Sequence, residues 1–405
     1  LHATDYAQGH PLGYALVPMH NNALISFLLR VVRVFFYKIM RRREAAEWSI
    51  IMHKKTVLVL FGGVSSEHEV SRLSVTSVLQ NIDHEQYAPV AVGITKDGRW
   101  LRFDGDIALI ADGSWEKDEK HLCPCLLSPD RSHHGLLLLH GESWEPFHID
   151  VIFPVLHGKN GEDGTVQGLF ELAGIPYVGC RVMASANCMD KDVAKRLFTI
   201  AGIPNARWIT AYPSSMKDFD SLRNKVEWEF GYPAFVKPAN AGSSVGVSKA
   251  KNPEELHTAL VEAFRHDSKV IIEETLHGAE VECAVMGNEA PVASAVIGEI
   301  EPLRGLYDYE GKYLDGSTKL HIPARISPLQ TEQIQAFAIK AYQALECSGL
   351  ARIDFFATND GKVVLNEINT LPGFTNISMY PKLFMASGMS YSEIITKLLN
   401  LAEAH

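Results

Sequence analysis

Apolar positions in this chain come in short runs punctuated by glycine, proline and charge. Lys55 to Phe61 (KTVLVLF) is continuously apolar and ends at Gly62-Gly63. An unbroken run of this length predicts a strand buried on both faces. Val64-Ser65-Ser66-Glu67 then leads into a helix through about Leu79, so the opening reads as strand, glycine turn, helix: one βα unit of a parallel sheet. The glycine spacing is not G-x-G-x-x-G, so the dinucleotide fingerprint is absent. Ala88–Thr95 and Asp150–Leu156 (DVIFPVL) predict further strands, with a polar, turn-rich insertion of hairpins at 96–148 between them. His157-Gly158-Lys159-Asn160-Gly161-Glu162-Asp163-Gly164 follows the last of these. Ligands in open α/β sheets bind beyond the carboxyl ends of strands, so 62–67 and 157–164 are expected to share a site.

Helices are expected at Thr165–Ala173, Asp192–Ile200, Pro253–His266, Thr331–Leu345 and Tyr391–Ala404. Strands are expected at Tyr177–Gly179, Pro204–Thr210, Tyr232–Pro238, Val270–Glu274, Glu280–Met286 and Ala293–Glu299. Lys237 ends one of these strands, just before the small-residue loop Ala241–Val247. Such a loop offers backbone N–H groups and hydroxyls to phosphate, with a lysine beside it, although a plain hairpin turn accounts for the loop equally well. Residues 301–320 lack apolar periodicity, and long loops of that kind are usually functional. Gly349–Ser378 reads as two strands joined at Asn359-Asp360-Gly361. Side chains alternate with period two, so Glu367 and Asn369 share a face, as do Arg352 and Asp354 in the facing strand. A cation and three oxygen donors then converge, a pattern suited to Mg²⁺ and a nucleotide.

The chain has 405 residues, enough for two or three domains, and a net charge of −10, which argues against a nucleic-acid partner. Its six cysteines are scattered, which fits free thiols in a reducing compartment. Cys123 and Cys125, near His121, His133 and His134, have C-x-C spacing rather than that of a zinc knuckle. Residues 1–51 differ from the rest. Ala23–Met40 is apolar but carries Arg30, Arg33 and Lys38, too short and too charged to span a membrane. We read 1–51 as an atypical extension ahead of Met52 and leave it out of the fold.

The stretches VLFGGVSSEHEVS, HGKNGEDGTVQG, MDKDVAKRL, VKPANAGSSVGVSK, YDYEGKY, ARIDFF and NEINTLPGFT occur in that order. Together they resemble the D-alanine–D-alanine ligases, ATP-grasp enzymes of cell-wall precursor synthesis, and in the insertion the larger bacterial members. The resemblance covers nearly everything from Met52 onward. It implies an α/β, three-domain ATP-grasp fold: a parallel-sheet substrate domain over 52–190, a central α+β nucleotide lid over 191–280, and a C-terminal catalytic domain over 281–405 with a mobile loop at 301–320. It implies ATP as co-substrate, two Mg²⁺ ions that Mn²⁺ can replace, D-alanine as substrate, a cytoplasmic location, and a homodimer without nucleic-acid or stable membrane association. Glu67 and His157 match the first-D-alanine pocket, and Ser243 and Tyr313 match the partners of Glu67. Lys191 and Lys237 match phosphate-binding lysines, and Lys312 a loop lysine reaching the transferred phosphate. Glu273, Glu274, Leu276 and Glu280 match the adenine and ribose contacts, with Ser243, Ser244 and Asn366 also on the ATP side. Asp354, Glu367 and Asn369 match the metal ligands. Arg352 and Gly373 match the groups that meet the tetrahedral intermediate, and Ser378, with Met379 beside it, the site of the second D-alanine carboxylate. D-Lactate or D-serine as second substrate, or a different ATP-grasp carboxylate–amine ligase, are the alternatives. Tyr313 favours D-alanine.

Overall fold

The computed structural model describes residues 54–302 and 318–404, and they form three sheets. The first has the order β6-β5-β4-β3-β2-β1-β7, from β1 (Lys55–Gly62), β2 (Tyr87–Ile94), β3 (Trp100–Phe103), β4 (Leu122–Leu127), β5 (Gly135–His140), β6 (Ser143–His148) and β7 (Val151–Leu156). The three apolar runs β2, β1 and β7 pair in parallel. All six residues of β7, and the last six of β1, are buried, as expected for strands covered on both faces. The polar insertion does form hairpins, and it extends this same sheet with antiparallel strands. Helix α1 (His68–Asn81) joins β1 to β2, α2 (Ile107–Asp112) lies within the insertion, and α3 (Thr165–Ala173) follows β7.

Helices α4 (Val182–Met189) and α5 (Lys191–Ile200) lead to a four-stranded sheet, order β10-β9-β11-β8, from β8 (Trp208–Ala211), β9 (Ala234–Pro238), β10 (Ser248–Ala250) and β11 (Val270–Glu274). Helices α6 (Phe219–Glu229) and α7 (Pro253–Ala263) belong to the same segment. The last sheet runs β15-β14-β12-β16-β17, with β12 (Gly278–Met286), β14 (Gly298–Pro302), β15 (Thr318–His321), β16 (Leu350–Thr358) and β17 (Val363–Asn369), while β13 (Val292–Ala293) pairs beside β12. Helix α8 (Pro328–Ala344) precedes β16, and α9 (Met379–Ala386) and α10 (Tyr391–Glu403) close the chain. Helix α10 returns to pack on β7 of the first sheet, while α9 lies on β12 of the third, with Tyr380 donating to Val285 O at 3.3 Å. Phe374, Tyr380, Leu383, Ile394 and Leu398 share one core with Val57, Val59, Phe153 and Val155. Lys55 Nζ meets Glu403 at 2.6 Å across the ends of the described chain.

Several expected elements differ. Tyr177–Gly179 is not a strand but a single bridge, Ile152 to Tyr177, and Gly179 breaks away with φ +114°. Ala293–Glu299 is two pieces, because Ser294 Oγ bonds the backbone at Ala284 N (3.3 Å) and Val296 O (2.8 Å) and takes the chain out of the ladder. The strand expected at Pro204–Thr210 starts only at Trp208, and Asn205 instead bridges to Leu365 of β17. Helices α2, α4, α6 and α9 have no counterpart in the sequence reading. In α9, Pro381 falls in the first turn, where a missing N–H costs nothing.

Candidate active site

The three sheets line one cleft of about 640 Å³. Its first wall is the carboxyl ends of β1 and β7. Glu67 stands just before α1 and is buried. Its carboxylate accepts a hydrogen bond from Ser243 Oγ, and its N–H donates to Ser65 Oγ at 3.1 Å. Two glycines make room for it. A Cβ on Gly158, which has φ +69°, would lie 2.5 Å from Glu67 Oε2, and one on Gly242 would lie 2.7 Å away. His157 is buried at the end of β7, with Nδ1 3.0 Å from Leu371 O and 3.5 Å from Glu162 Oε1, and Nε2 3.4 Å from Ser74 Oγ. Burial opposes a charged imidazole, but Glu162, Glu67 and the Leu371 carbonyl outweigh it and raise His157 above its ordinary range. Burial also raises Glu162; His157 pulls it back and Glu67 adds to the rise.

The second wall is the four-stranded sheet. Glu273, on β11, is buried between two lysines: Lys237 of β9 pairs with Oε2, and Lys195 of α5 lies 2.6 Å from Oε1. Burial alone would raise this carboxyl, but the two lysines prevail and hold it at about 2. For Lys195 the balance is reversed, and burial lowers it despite Glu273. Lys191 Nζ donates to Ala241 O at 2.8 Å and lies 3.8 Å from Glu367. The loop that Lys191 touches carries Ser243 and Ser244 at φ +46° and +60°, a left-handed conformation rare outside glycine. Glu274 is held by Arg207 at 2.6 Å. Leu276 and Glu280 line the cleft between the second and third sheets.

The third wall is β16 and β17. Arg352 lies opposite Asn369, and Asp354 opposite Glu367. The ladder shifts between Asp354 and Phe355, since Phe355 pairs with Leu365, so Asn366 is an extra residue on β17. Asn366 and Glu367 both line the cleft. Arg352 grips Asp354 with Nε at 2.8 Å and Nη2 at 2.7 Å, and its Nε lies 3.2 Å from Glu282. Asn369 Nδ2 donates to Asp354 Oδ2 at 2.9 Å, so its amide oxygen is the atom it can offer a cation. The donor set is therefore two carboxylates and an amide oxygen, all hard oxygen donors. Among the described residues no three His, Cys, Asp or Glu side chains form a ready-made metal group, including the C-x-C region, where Cys125 is buried and pushed up to about 12.

Gly373 lines the cleft, and a Cβ there would lie 2.8 Å from Ser378 Oγ. Ser378 Oγ accepts from Thr375 N at 3.0 Å, just before α9. Met379 is not on the wall: it is buried in the core against Gly298. Lys312 and Tyr313, and most of the 301–320 loop, lie outside the described residues. The sequence reading gave no role to Glu162, Lys195 or Glu282. A signal for two of them existed: Lys195 is one helical turn from Lys191, and Glu282 shares a strand face with Glu280.

Family models for the D-ala D-ala ligase N-terminus and C-terminus match residues 56–180 and 197–400. A D-alanine–D-alanine ligase of Acetivibrio thermocellus is 53% identical over 362 residues, spanning 86% of this chain and 96% of its own. One from Caldicellulosiruptor bescii is 50% identical over 355 residues, spanning 87% and 96%. Among solved structures, the VanG D-Ala:D-Ser ligase from Enterococcus faecalis superposes with a TM-score of 0.79 at 42% identity, covering 86% of this chain and 100% of its own. The D-alanine–D-alanine ligase from Coxiella burnetii gives 0.73 at 36% identity, covering 86% and 95%. With both family models matched and half the residues shared with full-length relatives, the chain belongs to the D-alanine–D-alanine ligase family.

Proposed function

We propose that this protein joins two D-alanine molecules into D-alanyl-D-alanine for peptidoglycan precursor synthesis, converting ATP to ADP and phosphate. The observation that carries the reading is the meeting, in one cleft, of a buried acid–imidazole pair, cleft lysines and a carboxylate–arginine group. The first D-alanine binds with its ammonium at Glu67, which Ser243 orients, and its carboxylate near His157, which Glu162 faces at 3.5 Å. Lys191 and Lys237 take the ATP phosphates, and Lys312 the transferred one. Glu273, Glu274, Leu276 and Glu280 border the adenosine, with Ser244 and Asn366 nearby. Phosphoryl transfer to the first carboxylate gives an acyl phosphate. The second D-alanine, its carboxylate at Ser378, attacks that carbonyl through its neutral amine; the C–N bond forms, the C–O bond to phosphate breaks, and phosphate and a proton are released. Arg352 and the Gly373 backbone stabilise the tetrahedral oxygen, a task of positioned charge. Asp354, Glu367 and Asn369 would hold Mg²⁺, or Mn²⁺ in its place, which when bound neutralises phosphate charge. In this reading Tyr313, which lies outside the described residues, is a partner of Glu67, and Met379 supports Ser378 from the core.

The reading extends to three lobes, 52–190, 191–280 and 281–405, and to a cytoplasmic homodimer, which sedimentation would check. Among the described residues no helix is long and apolar enough to cross a membrane. The likeness to the D-Ala:D-Ser ligase supports a second reading, D-serine as the second substrate. Incubation with ATP, Mg²⁺ and D-alanine should release phosphate and a D,D-dipeptide. Parallel mixtures with D-serine or D-lactate identify the second substrate. No phosphate release with D-alanine alone or with D-serine or D-lactate added would sink the ligase reading.

A further inference from the structure

The buried carboxylate of Glu273 is held from both sides, and its two partners differ in access. Lys237 Nζ, on Oε2, belongs to a side chain that is 18% exposed and lines the cleft. Lys195 Nζ, on Oε1 at 2.6 Å, belongs to one that is 2% exposed, off the cleft wall and further anchored to Ala206 O at 3.4 Å. One lysine is therefore open to an incoming ligand and the other is closed to it. Lys237 also feels the charges of Glu367 and Glu280 across the cleft, so several carboxylates hold it in the absence of a ligand.

We propose that Lys195 is a positioning residue: the fixed counter-ion of Glu273, whose charge lets Lys237 leave that carboxylate and turn to the phosphates of the nucleotide. The inference rests on the nucleotide site proposed above and adds a requirement to it. Removing one partner of a buried ion pair leaves the other uncompensated, which is strongly unfavourable. If Lys237 were the sole partner of Glu273, every nucleotide that recruited Lys237 would strand a buried carboxylate. Lys195 removes that penalty. It keeps Glu273 ionised and oriented by Oε1, while Oε2 becomes available to an exocyclic amine of the base.

The test measures binding of Mg²⁺ with a non-hydrolysable ATP analogue by calorimetry. Lys195→Met keeps the stem and removes the charge, so Lys237 stays trapped on Glu273. Affinity should fall by about tenfold or more, which corresponds to the coupling expected between contacting charges. Adding Glu273→Gln in the same chain keeps an acceptor oxygen but removes the trap, and should restore much of the loss. In turnover assays the single variant should show a raised KM for ATP with kcat changed less. Lys195 acting only in folding would not yield to this second substitution. Wild-type affinity in Lys195→Met, or a double variant as weak as the single one, overturns the inference and leaves the nucleotide site standing. A wild-type protein that binds no nucleotide overturns both.

Discussion

Individual side chains in the cleft are defined by what opposes their burial. Asp354 is fixed by a two-pronged Arg352 and by Asn369, while Glu367, opposite it, faces Lys191 at 3.8 Å. Glu367→Ala should reduce turnover by more than about a hundredfold, the scale of losing a positioned charge-stabilising group, with the thermal midpoint unmoved; near-normal turnover at saturating Mg²⁺ would count against a metal role. Glu273 gives a pH prediction. It titrates at about 2 in the folded chain against a reference of 4.5. A depressed carboxylate contributes stability above the unfolded value and loses it as pH falls toward the folded one. The difference in urea midpoint between wild type and Glu273→Gln should therefore shrink between pH 4.5 and 2. Parallel curves would show that the two lysines do not hold Glu273 down. The period-two reading placed Arg352, Asp354, Glu367 and Asn369 together because strand alternation is local. The spacing of Lys195 from Lys191 hinted at Lys195, but its partner Glu273 comes from a distant strand, and Glu162 meets His157 only because the glycine-rich turn between them folds back.

At the scale of elements, apolar runs bounded by glycine or charge were read closely, whereas the capping box at Ser327 and Gln330 was missed and its helix expected three residues late. Thr165–Ala173 and Val270–Glu274 have their expected bounds, flanked by a glycine at each end and by an acidic strand end respectively. Elements whose ends depend on side chain–backbone bonds were not, as Ser294 shows by splitting β13 from β14. The β17 bulge belongs here too, since nothing in the run VVLNEIN marks Asn366 as the extra residue. Capping is testable on its own. Ser390 and Glu393 form a reciprocal box at the start of α10, with Glu393 N to Ser390 Oγ at 3.2 Å and Ser390 N to Glu393 Oε2 at 2.7 Å. Ser390→Ala should cost about 1 kcal/mol in chemical denaturation and leave turnover unchanged. A neutral result would mean that packing of α10 against the first sheet alone sets its start.

The whole molecule brings together pieces that lie far apart in the chain. Ser243 reaches Glu67 across 176 positions, and His157 reaches Leu371 across 214. A ligand bound where three sheets meet ties all of them, so a nucleotide should stabilise the chain as a unit. At a hundred times its dissociation constant the gain is about 2.7 kcal/mol, visible as a rise in thermal midpoint. That rise should shrink when EDTA removes the divalent ion; an equal rise would argue against Asp354, Glu367 and Asn369 holding metal. Sequence alone determined the doubly buried strands of the parallel sheet, the βα opening and the shared face of the β16–β17 side chains, because each follows from spacing between near neighbours. The ordered motifs also pointed to the family. Tertiary structure alone decided that α10 returns to the first sheet while α9 lies on the third, that Met379 packs inward, and that Lys195, Glu273 and Lys237 form one charge group. Those outcomes depend on which distant surfaces exclude water together, and no local pattern of hydrophobic and polar residues encodes that choice.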